Sequence, residues 1–103
     1  MSAGDWKDML GAIQQGNVEV VKYHVDMGVD VNYQHPEFLT TPLIESIEHD
    51  QIKIARLLLD NGADPNLAIW LSSDTPLKIA KRLKNKEFIA LLKKFGAKDG
   101  WLW

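Results

Sequence analysis

The sequence predicts an all-α fold, a solenoid of helix-turn-helix units joined by hairpin-like loops, and three observations carry that prediction. Gly28, Gly62 and Gly96 stand 34 residues apart, the tripeptide Thr41-Pro42-Leu43 returns at the same offset as Thr75-Pro76-Leu77, and Asn32 returns as Asn66. Self-similarity at such a period marks a repeat array, in which one helix pair cannot bury its apolar face until a neighbour stacks on it. The units fall at about residues 5–32, 33–66 and 67–98 of a single domain, with 99–103 left as an aromatic tail.

In the first unit Asp5 is expected to cap the first helix, with Asp8 in its first turn complementing the helix dipole. The second unit is the clearest. Thr41 is an N-cap and Pro42 a first helical residue that loses no hydrogen bond, so a short helix is expected over residues 42–49. A second is expected over 52–61, where Ile54, Ala55, Leu57, Leu58 and Leu59 leave only a narrow polar stripe of Lys53, Arg56 and Asp60. Gly62 then ends it in the left-handed conformation that glycine adopts without a Cβ clash. The third unit repeats the second with one systematic change. At four equivalent positions the first two units are apolar and the third is lysine: Leu10, Ile44, Lys78; Ile13, Ile47, Lys81; Val18, Ile52, Lys86; Val25, Leu59, Lys93. A terminal unit needs an outer face that tolerates water, so the third unit is read as the C-terminal cap and the first as the N-terminal one.

T-P-L-I-E-S-I at 41–47 and L-L-L-D-N-G-A-D-P-N at 57–66 resemble the T-P-L-H-x-A-A and L-L-x-x-G-A-D-x-N signatures of the ankyrin repeat. The resemblance is strongest in the second unit, good in the third, and partial in the first, which has Gly16-Asn17-Val18 and Met27-Gly28-Val29-Asp30-Val31-Asn32 but no T-P-L. The chain departs from the pattern at Ile44 and Lys78, where the family has histidine, and at Asp50-Gln51 and Lys84-Asn85, where it has Gly-His. The usual period is 33, and the extra residue falls in both connecting loops.

Composition sets further bounds. With 103 residues, 46% of them hydrophobic, the chain can bury one core. It has no cysteine, which excludes disulfides and thiolate metal sites. The longest apolar runs, 67–71 and 88–92, are far too short to span a membrane, and the first residues lack a signal-peptide pattern, so a cytoplasmic protein is expected. Residues 1–51 hold two Lys/Arg against nine Asp/Glu, while 52–103 hold ten against five. Half of the basic residues in 76–98 sit at the capping positions, which makes a solvated cap the simplest account. The alternatives are an acidic protein partner or head-to-tail self-contact on the basic third unit, or nucleic acid.

No catalytic, cofactor or metal site is expected. His24, His35 and His49 fall in different elements. Glu45 and His49 share a helix face at i, i+4 with Glu48 beside them, but a pair of ligands is not a site. The residues match neither a nucleophile elbow nor a phosphate-cradling glycine loop.

What the ankyrin resemblance implies is a non-catalytic protein-interaction module, with an unidentified protein partner held by loop tips and the exposed side of each first helix. A regulatory or inhibitory enzyme subunit would share that surface. Carried onto this sequence, the surface comprises residues 33–40, 67–74 and the helix positions Gln14-Gln15, Glu48-His49 and Arg82-Leu83. The candidate contacts are Tyr33, His35, Phe38, Leu39, Glu48, His49, Ile69, Trp70 and Arg82. Both loops are apolar for exposed connections, and Trp70, Tyr33 and Phe38 are the anchors, since Trp and Tyr bury large area with few rotatable bonds. The competing reading is that these side chains fold down onto neighbouring loops or helix ends. For the tail, Trp101 and Trp103 either fold back over the cap or meet a partner or second copy. A monomer is expected otherwise.

Overall fold

A computed structural model describes residues 3–98. Over that span the chain forms six helices: α1 (Ala3–Gln15), α2 (Val18–Asp26), α3 (Pro42–Glu48), α4 (Ile52–Asp60), α5 (Pro76–Arg82) and α6 (Lys86–Lys94). They pair as α1 with α2, α3 with α4 and α5 with α6. First helices pack on first helices along the stack, and second on second. Among the described residues there is no strand.

Capping follows the sequence closely. Thr41 accepts from the Ile44 amide and Thr75 from the Lys78 amide, each with proline behind it. Asn17 and Asn85 cap α2 and α6 in the same way, satisfying donors that a helix start otherwise leaves orphaned. Asp5 is not the N-cap residue of α1. The helix begins at Ala3, which puts Asp5 inside the first turn, where its charge still favours the dipole.

The tight turn inside each pair uses one left-handed residue, at Gly16 (φ 74°), Asp50 (φ 55°) and Lys84 (φ 56°), again 34 apart. Glycine stands only at the first. A Cβ on Gly16 would come within 2.8 Å of the Gln51 side-chain amide, which lies over it from the next pair. The departures at Asp50-Gln51 and Lys84-Asn85 therefore change side chains but keep the left-handed turn seen at Gly16.

The asparagines at the unit ends explain their own periodicity. Asn32 donates through Nδ2 to the Gly62 carbonyl (3.0 Å) and accepts at Oδ1 from the Asp64 amide (2.8 Å). Asn66 does the same one unit later, to the Gly96 carbonyl (3.2 Å) and from the Lys98 amide (2.9 Å). One side chain thus joins each helix-end turn to the next.

A continuous core runs through all three pairs, from Met9, Ile13 and Val21 through Leu43, Ile44, Ile47, Ile54 and Leu58 to Leu77, Ala80, Phe88 and Leu92. Ile44 and Ile47 are fully enclosed. At the equivalent positions Lys78 and Lys81 are exposed, as are Lys86 and Lys93. Burying an unpaired ammonium would cost far more than burying a methylene gains, so the exposure of these four positions fits their lysine side chains.

Candidate partner-binding surface

Residues 33–40 connect α2 to α3, and their aromatic side chains lean on α1. Trp6, only 2% exposed, lies edge-on to Tyr33 at 5.5 Å between ring centroids and stacks with His35 at 5.5 Å and Phe38 at 6.2 Å. His35 and Phe38 stack on each other at 4.6 Å. Lys7 Nζ lies 5.8 Å from the Phe38 ring centre. The loop is also tied internally, with the Leu39 amide donating to the His35 carbonyl (2.9 Å) and the Glu37 amide to His35 Nδ1 (3.1 Å). Tyr33 and Phe38 thus stay partly exposed while packing beside Trp6.

Residues 67–74 occupy the next position along the stack. The Ile69 amide donates to the Asp74 carbonyl (2.9 Å) and the Ser73 amide to the Ile69 carbonyl (3.0 Å), closing a narrow loop. At its tip Trp70 is 53% exposed and Leu71 is 92% exposed. Leu71 has φ 74° and Ser73 has φ 59°, conformations that cost a side-chain-bearing residue about 1–2 kcal/mol. Ile69 points the other way and packs against the core. The residue that stands where Trp6 stands for the first loop is Thr40, 34 positions on. It is buried and donates its hydroxyl to Glu45 Oε2 (2.9 Å). In the same register Trp70 and Leu71 stand at the places of Pro36 and Glu37, which are exposed in the first loop as well.

The two loops are joined by Gln34. Its amide is buried; Nε2 donates to the Ala68 carbonyl (3.3 Å) and Oε1 accepts from the Trp70 amide. The tip that carries Trp70 is therefore braced by the loop before it.

Below the loops, the first helices present a polar row. Gln14 Nε2 donates to Glu45 Oε1 (2.9 Å), and His49 Nε2 lies 3.3 Å from the same oxygen. Arg82 reaches back to Asp74 (3.1 Å). Glu48 sits between these groups. Partial burial, and next the Glu45 carboxylate one turn away, push its carboxyl above the usual glutamate range, while His49 and Arg82 pull it back. A groove of about 670 Å³ opens beside the row, lined by Lys7, Leu10, Gly11, Gln14, Phe38 and Glu45 among others.

The structure thus gathers Tyr33, His35 and Phe38 into one cluster, Glu48, His49 and Arg82 into one row, and sets Trp70 apart at a tip. Leu39 is half-buried with φ 48°. Trp101 and Trp103 lie outside the described residues. Sequence reasoning missed Trp6 and Gln34. A tryptophan one turn ahead of Met9 on α1, and a glutamine 34 residues before Ala68, were the available signals, and both needed the register of neighbouring loops to be read.

The family described as ankyrin repeats (3 copies) matches residues 9–69, more than half of the chain. The chain belongs to the ankyrin-repeat family. It is similar to the ankyrin repeat and KH domain-containing protein mask of Drosophila melanogaster, 39% identical over 79 residues that make up 76% of this chain and 2% of that protein. It is also similar to a putative ankyrin repeat protein, R664, of Acanthamoeba polyphaga mimivirus, 39% identical over 65% of this chain and 40% of the relative. The human ankyrin repeat and SOCS box protein 11 is 33% identical over 84% of this chain and 26% of its own length. The chain thus spans less than half the length of these relatives. Ankyrin repeats generally serve as protein-interaction modules and are generally non-enzymatic. Within the described residues of this ankyrin stack no helix is long and apolar enough to cross a membrane.

Proposed function

We propose that this ankyrin stack is a non-catalytic binding module that presents the tip of residues 67–74, together with the polar row on its first helices, to a protein partner. The observation that carries this reading is the pair Trp70 and Leu71, two large apolar side chains held in solvent on a loop whose backbone is strained to keep them there. Strain of this kind persists only where surrounding structure holds it, and Gln34 and the Ile69–Asp74 closure do so. A braced tip loses little conformational entropy on docking, so more of its buried area appears as affinity. Glu48, His49 and Arg82 supply polar selectivity beside it, and Tyr33 and Phe38 add the partly exposed rings of the first loop.

The test is a partner captured from the native host, titrated against the purified chain and its Trp70→Ala variant. The variant is expected to bind more weakly by about 1–2 kcal/mol with an unchanged melting temperature. Equal affinity would remove Trp70 from the interface.

A further inference from the structure

The two ends of the stack are finished differently. Positions facing the following unit are apolar in the first two pairs and lysine in the third, as described. Positions facing the preceding unit behave otherwise. Ile54 and Phe88 are fully buried and Leu91 is buried, but their counterparts on α2, Val20 and Tyr23, are exposed, Tyr23 by 60%. Met27, one turn further along the same stripe, is 66% exposed. This end keeps the residue types of an inner face, and no described residue covers it.

Its surroundings favour one kind of occupant. A cleft of about 270 Å³ is lined by Asp5, Tyr23, His24, Met27 and Val29. Apolar walls and a carboxylate suit the side chain of lysine, whose methylene stem lies along apolar surface while its ammonium meets charge. Residues 5–32 carry five Asp/Glu against two Lys/Arg, with Glu19 and Asp26 one turn either side of Tyr23. Residues 67–98 carry eight Lys/Arg against two Asp/Glu, four of the lysines on the outward face of the last pair.

We infer that the α2 end of one copy docks the lysine-bearing end of a second copy, head to tail, with a lysine stem in the Tyr23–Met27 cleft and its ammonium at Asp5. The geometry continues the stack across the contact. Because the two patches are different, the contact is heterologous and adds copies in series rather than closing a two-fold pair. Its charged component makes it weaken as salt rises.

Sedimentation velocity over a concentration series, at low and high salt, reads this directly. The unaltered chain is expected to pass from monomer through dimer to larger species, and less so at high salt. Tyr23→Ser removes the apolar wall at one end, and Lys86→Glu with Lys93→Glu reverses the charge of the other. All three positions are exposed, and circular dichroism confirms that each variant folds. Each variant alone is expected to associate at least about tenfold more weakly. Mixed together, the two variants retain one intact patch of each kind and are expected to form a dimer and nothing larger. A chain that stays monomeric at every concentration overturns the proposal. So does association that survives the lysine reversals, that depends on residues 99–103 instead, or that the mixture fails to restore.

Discussion

Residues 33–40 and 67–74 hold equivalent places in the stack, both carry apolar side chains at their tips, and they end in opposite situations. In the first loop Tyr33, His35 and Phe38 share the Trp6 ring; in the second, Trp70 and Leu71 stand in solvent. Part of the difference originates in the loops, since in the 34-residue register Tyr33, His35 and Phe38 correspond to Leu67, Ile69 and Ser72, whereas Trp70 and Leu71 take the exposed places of Pro36 and Glu37. The preceding unit adds to it, with a tryptophan beside the first loop and Thr40, committed to Glu45, at the equivalent place for the second. An exposed aromatic is therefore informative about function only after the site that would have sheltered it has been identified.

The largest effect should come from removing the shelter. Trp6→Ala opens a cavity in the core and takes away the ring that three loop side chains touch, so a loss of about 3–5 kcal/mol in chemical denaturation is expected. That is a large share of the roughly 5–15 kcal/mol available to a domain of this size. Trp6→Phe, which keeps a ring, should lose much less and leave Tyr33 and Phe38 in place. If both variants unfold at the same denaturant concentration, the ring contacts are not what holds the first loop.

Removing the link between the loops comes next. Gln34→Ala leaves the Trp70 amide and the Ala68 carbonyl without their protein partner, at a cost of about 1–2 kcal/mol. Hydrogen exchange at the Trp70 amide should quicken while exchange in α3 and α4 is unchanged. An unaltered rate at that amide would show that the second loop holds its own shape.

How much of this could be read without coordinates follows the range of the interactions involved. The helix pairs were legible because their signals are local. Thr41 and Thr75 cap the helices they precede, and Gly62 ends the one before it. The lysine end was legible because a 34-residue register aligns positions that face the same neighbour. The Trp6 cluster and the Gln34 brace join residues about 30 apart, each inconspicuous until the loops are laid side by side. Asp5 was misplaced by a milder version of the same problem. An acidic residue at a helix start suits both the cap and the first turn, and only the backbone distinguishes them.

A smaller effect separates the loops by their backbone. Leu71→Gly removes a strained left-handed side chain that is in contact with almost nothing, so the fold should gain up to about 1 kcal/mol while partner binding weakens. Leu39→Gly relieves similar strain in the first loop but forfeits the contacts of a half-buried side chain, so its net change should lie nearer zero or be unfavourable. Thermal melts of the two variants decide the matter, and equal shifts would mean that the contacts of half-buried Leu39 contribute nothing beyond its strain.

The smallest effect lies between the loops, at Glu48. Partial burial and the Glu45 charge raise its carboxyl pKa in the folded chain. A carboxyl whose folded pKa lies above its unfolded one binds its proton more tightly when folded. The folded state is thus favoured where that proton is present, and this advantage fades as pH rises through the usual glutamate range to the raised folded value. At neutral pH the ionised group therefore opposes folding slightly. Glu48→Gln should raise the melting temperature by a small amount near neutral pH, with the gain vanishing in acid where wild-type Glu48 is itself neutral. A gain of the same size at both pH values would place its cause in packing. A loss at neutral pH would mean that the attraction of His49 and Arg82 outweighs the crowding by Glu45, and that the polar row under the two loops is held together by Glu48 rather than strained by it.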